Sequence, residues 1–439
     1  MELFALNRKR IFESELEGWA FLQGGKNTSR YDTDRDHLFR QESNFFWLTG
    51  IVEGDCDLIM DFTNKKVIVF CTKLPQAYAV WLGPIPTLKE LSEKYGLDFF
   101  YQEELANFVK TNSITKFHVH TTYTKQKELE EIETDDSVLK ETLNELRVIK
   151  TELELEKMRK VCKIGSIGHT KVMETTKPNQ FQYELQGTLL HEYYRHGSRF
   201  TSFEAIVGSG IGSSILHYFN NNLKINDGDL VLLDSGCEVD CYGSDITRTF
   251  PANGVFSQDQ KMIYQIVLDM QKKCIEAMKP EKEWTEIHAL SVEVCIDGLL
   301  ECGLIKGKKE ELIENHIAAL FYPHGLGHML GLDVHDVGGY PKGREKIKNA
   351  TFQYLRANRK LKPGMILTVE PGIYFIRPLL EPAFEDPEVN KYLNVDKIKK
   401  FLDFGGIRIE DDVLVTETGY EVLTDVPKEI EDIEKLMKK

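Results

Sequence analysis

Two apolar runs, VLLD at 231–234 and ILTVE at 366–370, each end on a carboxylate, and a third, IRIEDDVLV at 407–415, carries Glu410 near its middle. Runs of this kind predict buried strands, and an acid on a buried strand is costly unless a cation meets it. The chain must therefore gather these acids around positive charge or leave them at the surface. Asp245 follows Asp234 by eleven positions, a hairpin separation that returns the second carboxylate to the first. Alternation along the third run puts Arg408 and Glu410 on one face. Taken singly, each acid reads as readily as a surface or salt-bridge residue; jointly they point to a cation site. Asp234, Asp245, Glu370 and Glu410 would carry −4 together, which two divalent ions cancel and one does not. One imidazole among four carboxylates is an oxygen-rich shell, suited to Mn²⁺ or similar hard ions rather than to thiolate-type zinc.

The rest of the chain limits what such a site can serve. Its 439 residues allow two or three domains at roughly 150 residues each. With 70 acidic against 55 basic residues the net charge is −15, which opposes a nucleic-acid backbone and leaves small-molecule substrates open. No stretch approaches the roughly 20 apolar residues of a membrane helix, and the first twenty residues mix charges of both signs. Eight scattered cysteines form neither a disulfide framework nor a paired zinc motif, so a cytoplasmic, reducing compartment is expected.

Residues 53–110 alternate strand-like runs (Leu58–Asp61, Lys66–Phe70) with polar helical stretches. From Glu128 the pattern is charged and helical, with a discontinuous stripe at Leu143, Leu146, Ile149, Leu153 and Leu155. A boundary near Arg147–Thr151 separates a smaller mixed α/β domain, 1–147, from a larger α+β domain, 151–439. In the larger one, helices are predicted over Glu152–Thr175, Gln258–Met278, Thr285–Glu301 and Glu310–Leu320, and strands over Asp229–Ser235, Ile366–Glu370 and Ile407–Thr416.

Several patterns are decoys. The histidines of HEYYRH at 191–196 are five apart, so on a helix they diverge by about 140° and cannot share a zinc. Gly24, Gly25 and Lys26 lack the earlier glycine of a phosphate loop, since position 20 is Ala. His118 and His120 read as structural or exposed, and Cys237 and Cys241 as packing residues.

Five segments carry a resemblance: ILHYFNNN at 215–222, LLDSGCEVDCYGSDITRTFP at 232–251, PHGLGHMLGLDVHDVGGYP at 323–341, LKPGMILTVEPGIYF at 361–375 and FGGIRIEDDVLVTETG at 404–419. They resemble the pita-bread metallopeptidases, the family of methionine aminopeptidase, aminopeptidase P and prolidase. LFALNRKR at 3–10, LFRQESNFFWLTG at 38–50 and AVWLG at 79–83 are similar to the amino-terminal domain of the prolidase branch, so the resemblance spans the whole chain. It implies a two-domain α+β chain with a carboxy-terminal pita-bread domain. It also implies a metal-dependent Xaa-Pro dipeptidase that attacks the bond before a carboxy-terminal proline with a metal-bridging hydroxide.

Carried over residue by residue, the resemblance gives Asp234, Asp245, His328, Glu370 and Glu410 as ligands of two divalent ions, Mn²⁺ ahead of Co²⁺ or Zn²⁺. Asp245 and Glu410 bridge, Asp234 serves one ion, His328 and Glu370 serve the other, and Glu370 doubles as the base. His217 and His335 face the tetrahedral intermediate, while His324 lines the substrate pocket and Arg408 holds a ligand carboxylate. Arg356 matches the position that binds the substrate's carboxylate, and Trp81 a loop that reaches a partner subunit, implying a homodimer. Two departures concern pocket shape: FNNNLKINDGD after Tyr218 is shorter than expected, and Phe203 replaces an expected tyrosine. An Xaa-Pro aminopeptidase for longer peptides shares the chemistry, and a scaffold with an idle peptidase fold is the reading from another class.

Overall fold

A computed structural model describes residues 1–438. The chain forms two compact units, Met1–Arg147 and a second beginning at Val148.

The first unit is built on strands β1 (Trp19–Gln23), β2 (Cys56–Asp61), β3 (Lys66–Cys71), β4 (Asp98–Tyr101), β5 (Lys116–Val119) and β6 (Glu133–Asp135), in sheet order β4-β3-β2-β1-β5-β6. β1, β2 and β3 pair antiparallel, and the outer pairings are parallel. Phe21, Ile59, Phe70, Leu105 and Phe117 form one apolar core.

The expected helix from Glu128 does not begin there. Residues Lys127–Leu129 make one 3-10 turn, β6 follows, and the helix runs only over Leu139–Val148. The cause is electrostatic. The acids of this segment repel along a helix, whereas in β6 Glu133 and Asp135 lie 3.1 and 3.4 Å from Lys116 of the neighbouring strand. Asp135 also accepts from the Ser137 N–H, which ends the strand in a turn. Leu143, on the discontinuous stripe of this segment, is fully buried.

The second unit holds β7 (Phe200–Thr201), β8 (Ile206–Ser209), β9 (Leu230–Ser235), β10 (Cys237–Val239), β11 (Tyr242–Gly243), β12 (Ile246–Pro251), β13 (Ile366–Val369), β14 (Gly372–Tyr374), β15 (Gly406–Arg408), β16 (Asp411–Val415) and β17 (Tyr420–Val422). Helices Glu152–Thr175, Gln258–Glu276 and Trp284–Glu301 lie where the periodicity predicts them. Thr151 and Ser257 each cap the first turn of their helix, paired with Glu154 and Gln260 in reciprocal capping boxes. The stretch expected as one helix over Glu310–Leu320 is split into Lys309–Glu314 and a 3-10 turn at Ile317–Leu320, because His316 between them adopts a left-handed conformation (φ 54°). Met278, Trp284, Leu326, Leu367, Val369 and Val413 share the core beneath the strands.

One long strand expected over Ile407–Thr416 is two. β15 pairs with β14 and β16 with β13, and the break falls at Ile409–Glu410. The Glu410 N–H donates to Thr247 O of β12 at 3.0 Å, so the chain changes partners at the residue that carries the carboxylate. β13 and β14 are likewise interrupted at Glu370–Pro371, where proline has no N–H to continue a ladder.

Candidate metal centre

The strand breaks bring the acids to one place. β9 and β12 pair antiparallel with Asp234 opposite Thr247 and Ser235 opposite Ile246, so Asp245 enters the cluster one residue before β12. Residues 326–330 add a further extended segment along β13: Leu330 N–H donates to Ile366 O, Thr368 N–H to His328 O, and Glu370 N–H to Leu326 O, at 2.8–3.0 Å. His328, Glu370 and Glu410 thus arrive from neighbouring extended segments, on rigid backbone.

Ligand atoms of Asp245, His328 and Glu410 all lie within 4.8 Å of one another. His328 Nε2 is 3.3 Å from Asp245 Oδ2 and 3.6 Å from Glu370 Oε1. His328 Nδ1 bonds to Met329 O at 3.0 Å, which leaves Nε2 as the ring atom directed at the carboxylates. Asp234 joins through Arg408, whose Nη2 donates to Asp234 Oδ2 at 2.5 Å, while Asp234 Oδ1 is buried and has no hydrogen-bond partner.

The protonation behaviour follows from this crowding. Burial, then the charges of Asp234, Asp412 and Glu370, push Asp245 well above the usual carboxylate range. Glu410 is raised by burial and by Asp245, Glu370 and Asp234, and Glu370 by burial against the opposing pull of His328 and Arg408. An unpartnered buried oxygen and mutually repelling carboxylates beside an imidazole nitrogen form a donor set that fits divalent cations.

The surrounding residues lie as follows. His335 is exposed by surface area, yet its ring is crowded, 4.3 Å between centroids from that of His328, and this desolvation, with His328, Arg356 and His217 nearby, lowers its pKa to about 3. His324 Nε2 lies 2.9 Å from the Tyr374 hydroxyl, and burial with the Arg408 charge lowers it to about 3. His217 is exposed and stacks on Phe219, with ring centroids 5.9 Å apart. Arg356 is exposed, and its charge reaches Glu370 and His335. Trp81 lies in the first unit, 81% exposed, in the short helix Ala79–Leu82.

Four neighbours of the cluster escaped the sequence reading. The Thr247 hydroxyl donates to Glu410 Oε2 at 2.7 Å and accepts from Arg408 Nε at 3.2 Å. The Tyr374 hydroxyl accepts from Arg408 Nη1 at 2.9 Å. Asp411 binds Arg248 at 2.7 Å and Lys428 at 2.6 Å; burial alone would raise it, but these two cations hold it at about 2. Asp412 accepts the Asp245 N–H at 3.1 Å and the Cys162 thiol at 3.1 Å, and burial lifts it to about 7. Three consecutive acids inside an apolar run were the available signal, since such a run can be buried only with matching donors.

Comparison with known proteins gives the same outline. The family profile described as "Metallopeptidase family M24" matches residues 156–417, and "Aminopeptidase P, N-terminal domain" matches residues 4–118. The chain is 41% identical over 460 residues to the human Xaa-Pro dipeptidase, covering 100% of this chain and 93% of that one. It is 39% identical to a probable Xaa-Pro aminopeptidase of Botryotinia fuckeliana, covering 97% and 93%. Among solved structures, a zinc-substituted Escherichia coli aminopeptidase P in complex with product superposes with a TM-score of 0.85 at 32% identity, covering 99% of this chain and 98% of that one.

Proposed function

The chain belongs to metallopeptidase family M24, a two-domain α+β hydrolase by that membership, and from this premise we propose that it is an Xaa-Pro dipeptidase. The observation that carries the proposal is the convergence of Asp245, His328 and Glu410 within 4.8 Å, beside the unpartnered oxygen of Asp234. In this reading Asp234, Asp245, His328, Glu370 and Glu410 would together hold two divalent cations, for which Mn²⁺ would suit the oxygen-rich set. When bound, two such ions supply charge neutralisation, a water acidified toward neutral pH and a polarised scissile carbonyl.

The protein's own groups do the rest. Glu370 accepts the proton released by the attacking water and returns it to the proline nitrogen as the bond breaks. His335 donates an N–H to the oxygen that gains charge, and His217 serves the same tetrahedral intermediate. His324 is kept in place by Tyr374 and lines the pocket. Arg408 holds Asp234, and Thr247 holds Glu410, in ligating orientation. Arg356, an exposed guanidinium whose charge acts on Glu370 and His335, receives the free carboxylate of the departing proline. The exposed apolar run Tyr78, Val80, Trp81 and Leu82 favours a homodimer, and eight free thiols favour a cytoplasmic setting.

A second reading, an Xaa-Pro aminopeptidase, is favoured by the fungal relative and by the solved aminopeptidase P structure. Release of proline from Gly-Pro, beside Gly-Pro-Ala, by chelated protein with and without Mn²⁺ separates the two. Mn²⁺-dependent cleavage of Gly-Pro alone supports the dipeptidase; cleavage of the tripeptide moves the chain to the aminopeptidase branch. No cleavage of either, with no metal retained, would leave the scaffold reading.

A further inference from the structure

A further buried charge pair, besides Arg248–Asp411, lies near the segment that carries His328. Lys150 Nζ is 3.1 Å from Asp336 Oδ2, with side-chain exposures of 2% and 1%. Lys150 is fixed through its backbone, whose N–H donates to Gly364 O at 2.9 Å. Asp336 directly follows His335, and its own N–H donates to Met329 O at 2.8 Å, one residue beyond His328. The pair is therefore tied at one end to the turn before β13 and at the other to the segment that carries His328.

Packing around the pair admits little play. A Cβ at Gly331 would fall 2.3 Å from Asp336 Oδ2 and 3.0 Å from Lys150 Nζ. At Gly338, in the left-handed region (φ 82°), a Cβ would fall 2.0 Å from Val148 Cγ2. Residues 148–150 thus contact the loop just after His335, at Asp336 and at Gly338. His335 itself is exposed and meets the cluster through its ring contact with His328, 4.3 Å between centroids. A buried ion pair is poor at adding stability over apolar residues of similar size, but it has strict geometry. Here that geometry fixes the residue next to an exposed imidazole.

We infer that the Lys150–Asp336 pair is the positioning device for His335, setting the imidazole where it meets the substrate's oxyanion. The inference rests on the reading of His335 given under Proposed function. Misplacement of a positioned group by about 1 Å costs on the order of 10²-fold in rate. Lys150→Met should lower kcat for Gly-Pro by that order while KM stays within about threefold. Two equivalents of Mn²⁺ should still bind, because no ligand is touched.

The test is a cycle of Lys150→Met, His335→Ala and their combination, with Lys150→Arg as the conservative variant. Lys150→Met/Asp336→Leu removes both charges together, so that neither is left buried alone if the single variant fails to fold. The inference expects Lys150→Met to add less than about threefold in the His335→Ala background, and Lys150→Arg to recover most of kcat. It is overturned if a folded Lys150→Met, or the Lys150→Met/Asp336→Leu protein, keeps wild-type kcat, or if the two effects multiply in the cycle. A normal kcat in His335→Ala would instead overturn the substrate-contact reading, and this inference with it.

Discussion

Thr247→Val is a small change with a calculable effect on the site. The Thr247 hydroxyl is fully buried, donates to Glu410 Oε2 at 2.7 Å and accepts from Arg408 Nε at 3.2 Å. Valine nearly preserves the volume but removes both bonds, leaving a carboxylate oxygen and a guanidinium N–H facing a methyl group. A hydrogen bond to a charged group contributes about 1.5–3 kcal/mol. If that energy orients Glu410 for a cation, its loss weakens binding by roughly 10- to 100-fold, at 1.4 kcal/mol per decade. Loss of an outer partner of a metal ligand independently suggests about 10- to 100-fold. Calorimetric titration of chelated protein with Mn²⁺ reads this directly, with circular dichroism confirming the fold. Thr247→Ser keeps the hydroxyl and should bind within about threefold of wild type. A Thr247→Val protein that binds Mn²⁺ within about twofold of wild type would refute the claim that this hydroxyl orients a ligand.

Two further predictions concern stability. In metal-free protein Asp245, Glu370 and Glu410 have raised folded-state pKa values, so their contribution is most favourable at acid pH and is lost as pH rises from the ordinary carboxylate range through those raised values. Chelation should therefore lower Tm, and by more at pH 8 than at pH 5. Saturation at 100 times Kd is worth about 2.7 kcal/mol per ion, and an unchanged Tm on chelation would contradict the converging-carboxylate account. Asp411 has the opposite sign: held at about 2 instead of 3.8, it stabilises the fold above pH 4 by roughly 2–3 kcal/mol, and this is lost as pH falls toward 2. Asp411→Asn should cost about 2–5 kcal/mol at pH 7, because Arg248 and Lys428 lose their counter-charge, and the penalty should shrink in acid. A urea midpoint unmoved at pH 7 would show that the node is not stabilising.

Much of this architecture is legible in the chain because local chemistry and global fold agree. The helix Glu152–Thr175 begins at a Thr151 capping box and ends where its periodicity does, and β9 is an unbroken apolar run up to Asp234. The readings that failed did so where tertiary pairing decides. The acids after Glu128 are helix-compatible one at a time, and only Lys116 on the next strand makes β6 the better state. The break at Glu410 is invisible to alternation, since it arises from the exchange of β14 for β13 as partner, with Thr247 of β12 between. For the same reason Thr247, Tyr374 and Lys150 carry no local mark: each is an ordinary residue until a segment distant in sequence is laid against it.

The most direct test of the two-cation site is the stoichiometry of Mn²⁺ bound to the wild type and to Glu410→Ala, measured by elemental analysis after equilibrium dialysis of folded protein. The arrangement of Asp234, Asp245, His328, Glu370 and Glu410 predicts two equivalents per chain in the wild type. It predicts fewer in Glu410→Ala, with loss of Gly-Pro hydrolysis while the chain stays folded. One equivalent or none in the active wild type, or a Glu410→Ala protein that holds two and turns over normally, would contradict it.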